Sequence, residues 1–234
     1  TDACFESMSG FTTTGSSIFG TARNAGGQGV IEGLPNSILF WRSLTHWLGG
    51  MGIVMLGLAV LPALRAGGYQ LFVAESSGLT HDRLRPRMKD TAAILWGVYI
   101  LLTAAQVLLL WLGEMPLFDS VCHSFGTVAT GGFSTKDASI AYYSQTGHPH
   151  ALYFELVITC FMFMGGVNFL LHYKALHGEL GSYWRDGEFK FYSLIVFSSS
   201  MILALVVWLA NSPGCEDYLS ALRYSAFNVV SIIT

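Results

Sequence analysis

Four stretches of the chain are apolar and long: residues 37–61, 91–113, 151–173 and 191–210. A bilayer core takes about 20 apolar residues in helical form, so each stretch is predicted to be a spanning helix. Only the first and third contain a charged residue, Arg42 and Glu155. Other apolar stretches are too short to cross, notably residues 1–11 and about 115–127. Each of these runs directly into a patch rich in threonine and glycine, "TTTGSS" after the first and "TVATGGFST" (Thr127 to Thr135) after the second. Irregular backbone at membrane depth is tolerated only where protein or a water-filled cavity surrounds it. The pattern therefore predicts two re-entrant loops, each entered by a short helix.

The two patches are copies of one unit. Aligning Gly15 with Gly131, an offset of 116 residues, also superposes Thr14 on Thr130 and Gly10 on Gly126. The same offset carries Gly49 and Gly50 of "HWLGGMGIV" onto Gly165 and Gly166 of "FMFMGGVNF". Agreement at this many glycines reads as an internal repeat. Each unit is a spanning helix, a short helix, a polar loop and a second spanning helix with a double glycine near its middle. Residues 1–62 are such a unit without its first helix, and residues 91–173 form a complete one. Residues 191–234 begin a third, with a turn at Asn211 to Gly214 and an apolar stretch from Tyr218 to Ile233, ending at Thr234 where the next polar loop is expected. The resulting fold class is an all-α integral membrane protein built of repeated helix, pore-loop, helix units.

Composition agrees with a membrane class. The 234 residues are 52% hydrophobic and 12% charged, with a mean hydropathy of +0.50, too little polar surface for a soluble globule. Thr1 opens the chain without a basic start and apolar run, so no cleaved signal peptide is read there, and the chain reads as an internal piece of something longer. Of the 12 Lys and Arg residues, Arg65, Arg83, Arg85, Arg87 and Lys89 lie between the first two spans and Lys174, Arg185 and Lys190 between the next two. The positive-inside bias makes residues 63–90 and 174–190 cytoplasmic loops, which puts the polar loops near the outer face. The run His81 to Asp90 is a topology signal that also meets anionic lipid. Cys4, Cys122, Cys160 and Cys215 have neither CxxC spacing nor matching histidines, so neither a zinc site nor a disulfide framework is expected.

The loops carry the candidate chemistry. A dehydrated alkali cation needs several oxygen ligands at once, and backbone carbonyls supply them without a trapping charge. Turning successive carbonyls toward one axis calls for backbone angles that glycine adopts with little strain. The candidate selectivity residues are Thr12, Thr13, Thr14 and Gly15 in the first loop, Val128, Ala129, Thr130, Gly131 and Gly132 in the second, and Thr234 at the edge of a third. Thr13, Thr14, Thr130 and Gly131 are the candidate ligands of such a cation, and Gly15 and Gly131 the residues tied most tightly to the ion path. The plain alternative for one "TTTGSS" is a surface turn or helix cap; the second copy at a matched position argues against it. Gly49, Gly50, Gly165 and Gly166 are expected to seat neighbouring helices, with a hinge as the other reading.

Arg42 and Glu155 lie near helix ends, where snorkelling to water or headgroups is the expected role. His46 lies deeper and is expected to be a hydrogen-bonded packing residue. Asn168 and His172 are expected to serve as a cap or interhelical contact. A coupled secondary transporter would need a buried relay, for which His46 and Glu155 are the candidates. An intramembrane hydrolase is disfavoured, because "FSSSM" and the loop serines have no histidine at helical spacing to activate them.

The segments "FESMSGFTTTGSSIF", "HWLGGMGIVML", "HSFGTVATGGFSTKD", "YWRDGEFKFY" and "FNVVSIIT" resemble the bacterial Trk/Ktr potassium transporter family, in particular its TrkH-type membrane subunit. That resemblance implies four non-identical repeats around one pseudo-fourfold pore, and K+ as the transported ion with no organic cofactor. It further implies a bacterial inner-membrane location, a homodimer, and a cytosolic nucleotide-binding regulatory partner of the TrkA kind, with no role for nucleic acid. It assigns Gly15 and Gly131 as filter glycines and matches Thr234 to Thr12. With two loops and the edge of a third, the chain by itself is not expected to conduct.

Overall fold

The computed structural model describes residues 2–19, 30–52, 84–210 and 217–234, and the described residues are helical without strands. In chain order the helices are α1 (Asp2–Phe11), α2 (residues 36–52), α3 (Leu84–Leu112), α4 (Leu117–Val128), α5 (Ala141–Gln145), α6 (Ala151–Gly165), α7 (Phe169–Leu176), α8 (Gly181–Arg185), α9 (Gly187–Leu209) and α10 (Tyr218–Ile233). The predicted spans 91–113 and 191–210 are found as Ala92–Leu112 and Gly187–Leu209, both long and apolar enough to cross a membrane. The short apolar stretches become α1, α4 and α10. Residues 53–61 of the first predicted span, and the turn at Asn211 to Gly214, lie outside the described residues.

Two expectations change. The predicted span 151–173 is not one straight helix: α6 and α7 meet at an angle of 104° across Gly166, Val167 and Asn168. The Asn168 side chain accepts the Leu170 N–H and starts α7 afresh, a local bond that competes with helix continuation. His172 then returns across the break, its Nε2–H donating to the Met164 carbonyl at 2.9 Å while Nδ1 lies 2.7 Å from the Tyr183 hydroxyl. The loops are also shorter than predicted. The α3 helix reaches back to Leu84, inside the basic stretch, and residues 174–190 hold the end of α7, all of α8 and the start of α9, which Asp186 caps by accepting the Phe189 N–H at 2.7 Å.

Helix α9 shows which solvent the fold expects. Its buried positions are Val196, Ser200 and Ala204, a one-turn spacing of small residues that lets α10 approach closely. Phe191, Leu194, Phe197, Met201, Ile202 and Leu205 stay exposed around the remaining circumference. Apolar surface on that scale is matched to lipid rather than to water. Inside, Met51, Tyr99, Val128 and Phe161 join α2, α3, α4 and α6, and Leu110, Met115, Tyr143 and Phe154 form a second core beside them.

Candidate functional site

The turn that ends α1 and the turn that ends α4 have the same hydrogen-bond pattern. Thr12, Thr13 and Thr14 donate their N–H groups to the carbonyls of Met8, Gly10 and Ser9, and Ala129, Thr130 and Gly131 donate theirs to Phe125, Thr127 and Gly126. Left-handed backbone follows at matched places: Thr13 (φ 53°) with Thr130 (φ 52°), and Gly15 (φ 73°) with Gly132 (φ 91°). These pairs lie 117 residues apart, not 116, so the structural register pairs Gly15 with Gly132 and Thr14 with Gly131. A β-branched residue at positive φ is strained by about 1–3 kcal/mol and persists only where its surroundings impose it. Both loops impose it on a threonine. At Thr234 the third segment begins the same way, its N–H and hydroxyl both bonding the Val230 carbonyl at 3.0 and 2.8 Å, as Thr12 does to Met8 at 2.9 and 2.7 Å.

The backbone reason expected for Gly131 therefore belongs to its neighbour Gly132. Gly131 is required by space instead: a Cβ there would strike the His46 ring. That ring is fully buried, stacks on Phe133 at 4.0 Å and 20°, and accepts the Phe133 N–H on Nδ1 at 3.4 Å. His46 is thus a packing residue, as expected, but one that reaches the second loop from α2. The first and second loops touch directly, since a Cβ at Gly15 would meet the Gly131 carbonyl oxygen. Thr14, Thr130, Gly131, Gly132 and Thr234 all border one cavity of about 430 Å³. Val128 and Ala129 are buried outside its lining, and Thr12, Thr13 and Gly15 do not line it either.

The double glycines sit where helices and chain segments approach closely. Gly49 lies against the backbone of Phe11 at the end of α1, and Gly165 lies near the Val128 and Thr127 carbonyls at the end of α4. The second glycine of each pair faces a tyrosine of a later helix: Gly50 meets the Tyr99 hydroxyl of α3 and Ala129, and Gly166 meets the Tyr192 hydroxyl of α9 and Thr234. Tyr99 donates to the Trp47 carbonyl at 3.0 Å and Tyr192 to the Phe163 carbonyl at 3.2 Å, each three residues before its glycine. Tyr99→Phe and Tyr192→Phe are each expected to cost about 0.5–1.5 kcal/mol, the net contribution of one such bond, read as a fall in thermal stability in detergent.

Sequence reasoning missed the burial of the charges. Arg42 does not snorkel: it is 4% exposed, and its Nε lies 3.2 Å from Oε2 of Glu6, which is 8% exposed. Arg42 Nη2 donates to Ser17 Oγ at 3.2 Å and Nη1 to the Ser134 carbonyl at 3.5 Å. The guanidinium also lies 4.2 Å from the Phe133 ring centre. Glu6 in turn accepts from the Ser17 hydroxyl and the Ile18 N–H, both at 2.6 Å. The second loop has its own anchor: Asp119 accepts from Thr135 Oγ1 at 2.8 Å and the Tyr143 hydroxyl at 3.2 Å, with Lys136 Nζ at 3.6 Å. Glu155 is not a free snorkelling carboxylate either, for it pairs with Arg223 of α10 at 3.5 Å. The visible signal is that Arg42 and Glu6 each lie within an apolar stretch, which costs too much in lipid unless paired.

Helices long and apolar enough to cross a membrane, with lipid-like apolar faces and two matched helix-ended turns beside one cavity, define an all-helical integral membrane protein. The chain belongs to the TrkH family, described as cation transport protein, whose match covers residues 1–215. It is 42% identical over 236 aligned residues to the Trk system potassium uptake protein TrkH of Salmonella typhimurium, covering all of this chain and 45% of that protein. To the Trk system potassium uptake protein TrkG of Escherichia coli it is 34% identical, covering all of this chain and 45% of that one. The crystal structure of the potassium transporter TrkH from Vibrio parahaemolyticus superposes with a TM-score of 0.78 at 34% identity, over 99% of this chain and 43% of that one. The chain thus spans less than half the length of each of these relatives.

Proposed function

We propose that this chain forms part of the ion path of a potassium uptake protein, with K+ coordinated by backbone carbonyls of the two loops and of the segment that begins at Thr234. The observation that carries this reading is the repeated left-handed turn, Thr13 to Gly15 and Thr130 to Gly132, which brings Thr14, Thr130, Gly131 and Gly132 to the wall of one cavity with the Gly131 carbonyl against Gly15. Carbonyl oxygens aimed by such turns replace part of a cation's hydration shell. Thr12, Thr13, Thr14, Val128, Ala129, Thr130 and Gly131 supply candidate carbonyls, and Gly15 and Gly132 the conformations that turn them. The relatives TrkH and TrkG are potassium uptake proteins, which points to the same ion.

The unit boundaries 1–62, 91–173 and 191–234 rest on the repeat in the sequence, and the polar loops toward the outside on the charge bias. The pseudo-fourfold axis, an inner-membrane location, a homodimer and a cytosolic nucleotide-binding regulator rest on the family resemblance. Coupling to H+ or Na+ is the second reading. Glu155, one of its two relay candidates, is paired with Arg223, and the other, His46, accepts the Phe133 N–H on Nδ1 and has no carboxylate bonded to its buried Nε2, which favours conduction. Flux that stops when the proton or sodium gradient is collapsed, at constant potassium driving force, would reverse that preference.

Gly132→Ala in the full-length protein is the cleanest test. A Cβ at Gly132 meets nothing within 4 Å, so the substitution changes backbone preference without a collision. At φ 91° the strain on alanine is about 1–3 kcal/mol. Potassium uptake in a potassium-limited strain is expected to fall while the membrane level of the protein holds. Unchanged uptake and unchanged K+ over Na+ discrimination would reject the carbonyl-filter reading.

A further inference from the structure

Arg42 grips the same place in both loops. Ser17 and Ser134 are 117 residues apart, the spacing that also relates the two left-handed turns, and the two terminal nitrogens of one guanidinium bond one residue each. Glu6 ties the segment after the first turn to α1, and Asp119 ties the segment after the second to α4. Each of those anchors serves its own loop, whereas Arg42 spans the two. We propose that Arg42 is a positioning residue that fixes the lateral spacing of the two loops, and through it the discrimination between K+ and Na+. This rests on the carbonyl-filter reading.

The chemistry suits a spacer. A guanidinium is planar, with donors at fixed angles, so Nε toward Glu6, Nη2 toward Ser17 and Nη1 toward Ser134 define three directions at once. The Phe133 ring, 4.2 Å from the guanidinium centre, holds the plane from one side. Taking an ion pair out of water is costly, and a buried pair is often no more stabilising than apolar residues of the same volume. What the charged fork adds here is geometry: two loops held at one separation by a rigid connector. Cations of different radius are told apart by how far their oxygen ligands can close or open, so a change in loop spacing acts on the ratio of K+ to Na+ transport more than on folding.

Two variants of the full-length protein test this. Arg42→Lys keeps the charge opposite Glu6, but one ammonium lacks the three-way fork. The double replacement Arg42→Met with Glu6→Met removes the buried pair and leaves no unpaired charge. Both are expected to accumulate in the membrane, and in both the K+ over Na+ preference, measured as Na+ inhibition of Rb+ uptake, should fall by about tenfold, the effect of losing one hydrogen bond to a charged group. Normal discrimination in either variant at normal protein level overturns the proposal, as does failure of both to accumulate, because Arg42 would then serve the fold alone. Should Gly132→Ala alter discrimination while the Arg42 variants do not, the brace fails and the filter reading stands; should Gly132→Ala change nothing, the filter reading itself fails.

Discussion

Gly131→Ala in the full-length protein is expected to reduce potassium uptake strongly, and His46→Ala in the same protein to restore much of it. The added Cβ would land on the His46 ring, within reach of Nδ1, Cγ and Cε1. The ring has little room to move, since rotation would break both its stacking on Phe133 and its bond from the Phe133 N–H. The loop backbone must therefore give way, and it is the Gly131 carbonyl that faces Gly15. Overpacking of this kind costs about 1–3 kcal/mol, and at about 1.4 kcal/mol per tenfold the uptake is expected to fall roughly 10- to 100-fold. The measurement is a double-mutant cycle on initial uptake rates, normalised to protein in the membrane. An equal loss from Gly131→Ala with and without His46 would mean that the collision is not the cause.

The second large effect is on folding. Gly49→Val is expected to deplete the folded protein, because its Cβ would meet the carbonyl oxygen, carbonyl carbon and Cα of Phe11. These are backbone atoms at the end of α1, which cannot rotate aside as a side chain could. The cost of such overpacking is about 1–3 kcal/mol or more, enough to lower both membrane accumulation and the thermal midpoint in detergent. Gly52 on the same helix provides the control: nothing lies within 4 Å of a Cβ there, so Gly52→Ala should leave both unchanged. Equal tolerance at the two positions would remove the case for a close approach at Gly49.

The two substitutions separate kinds of information that sequence reasoning merges. Both glycines stand out as repeated letters, yet one is needed for an aromatic ring arriving from another helix and the other for a helix end 38 residues away. The same limit explains the one-residue difference in register. Matching letters aligned Gly15 with Gly131, but the hydrogen bonds count from the end of each short helix, and a threonine accepts the left-handed angle in both loops. Which residue bears a positive φ is settled by the bonds that close the turn rather than by residue type alone.

Helix placement was legible because it is local. Uninterrupted apolar runs of bilayer length in residues 91–113 and 191–210 cannot avoid forming spans, since no water is present to satisfy an open backbone. The short stretches before "TTTGSS" and "TVATGGFST" cannot cross for the opposite reason, being too short. The break between α6 and α7 was less legible. Asn168 was recognisable as a cap or interhelical contact, but the 104° turn also brings His172 back to the Met164 carbonyl, which already accepts the Val167 N–H, and that return contact is tertiary.

The chain's own order of residues was thus sufficient for the membrane class, the helices at 91–113 and 191–210 and the turns that end both short helices, because apolar length and local turn chemistry act within a few residues. Tertiary structure alone decided that Arg42 is buried against Glu6, that one guanidinium reaches Ser17 and Ser134, and that His46 rather than backbone strain excludes a side chain at Gly131. Those outcomes depend on which helices become neighbours, and a charge or a ring finds its partner only after the packing of the apolar faces has brought distant segments together.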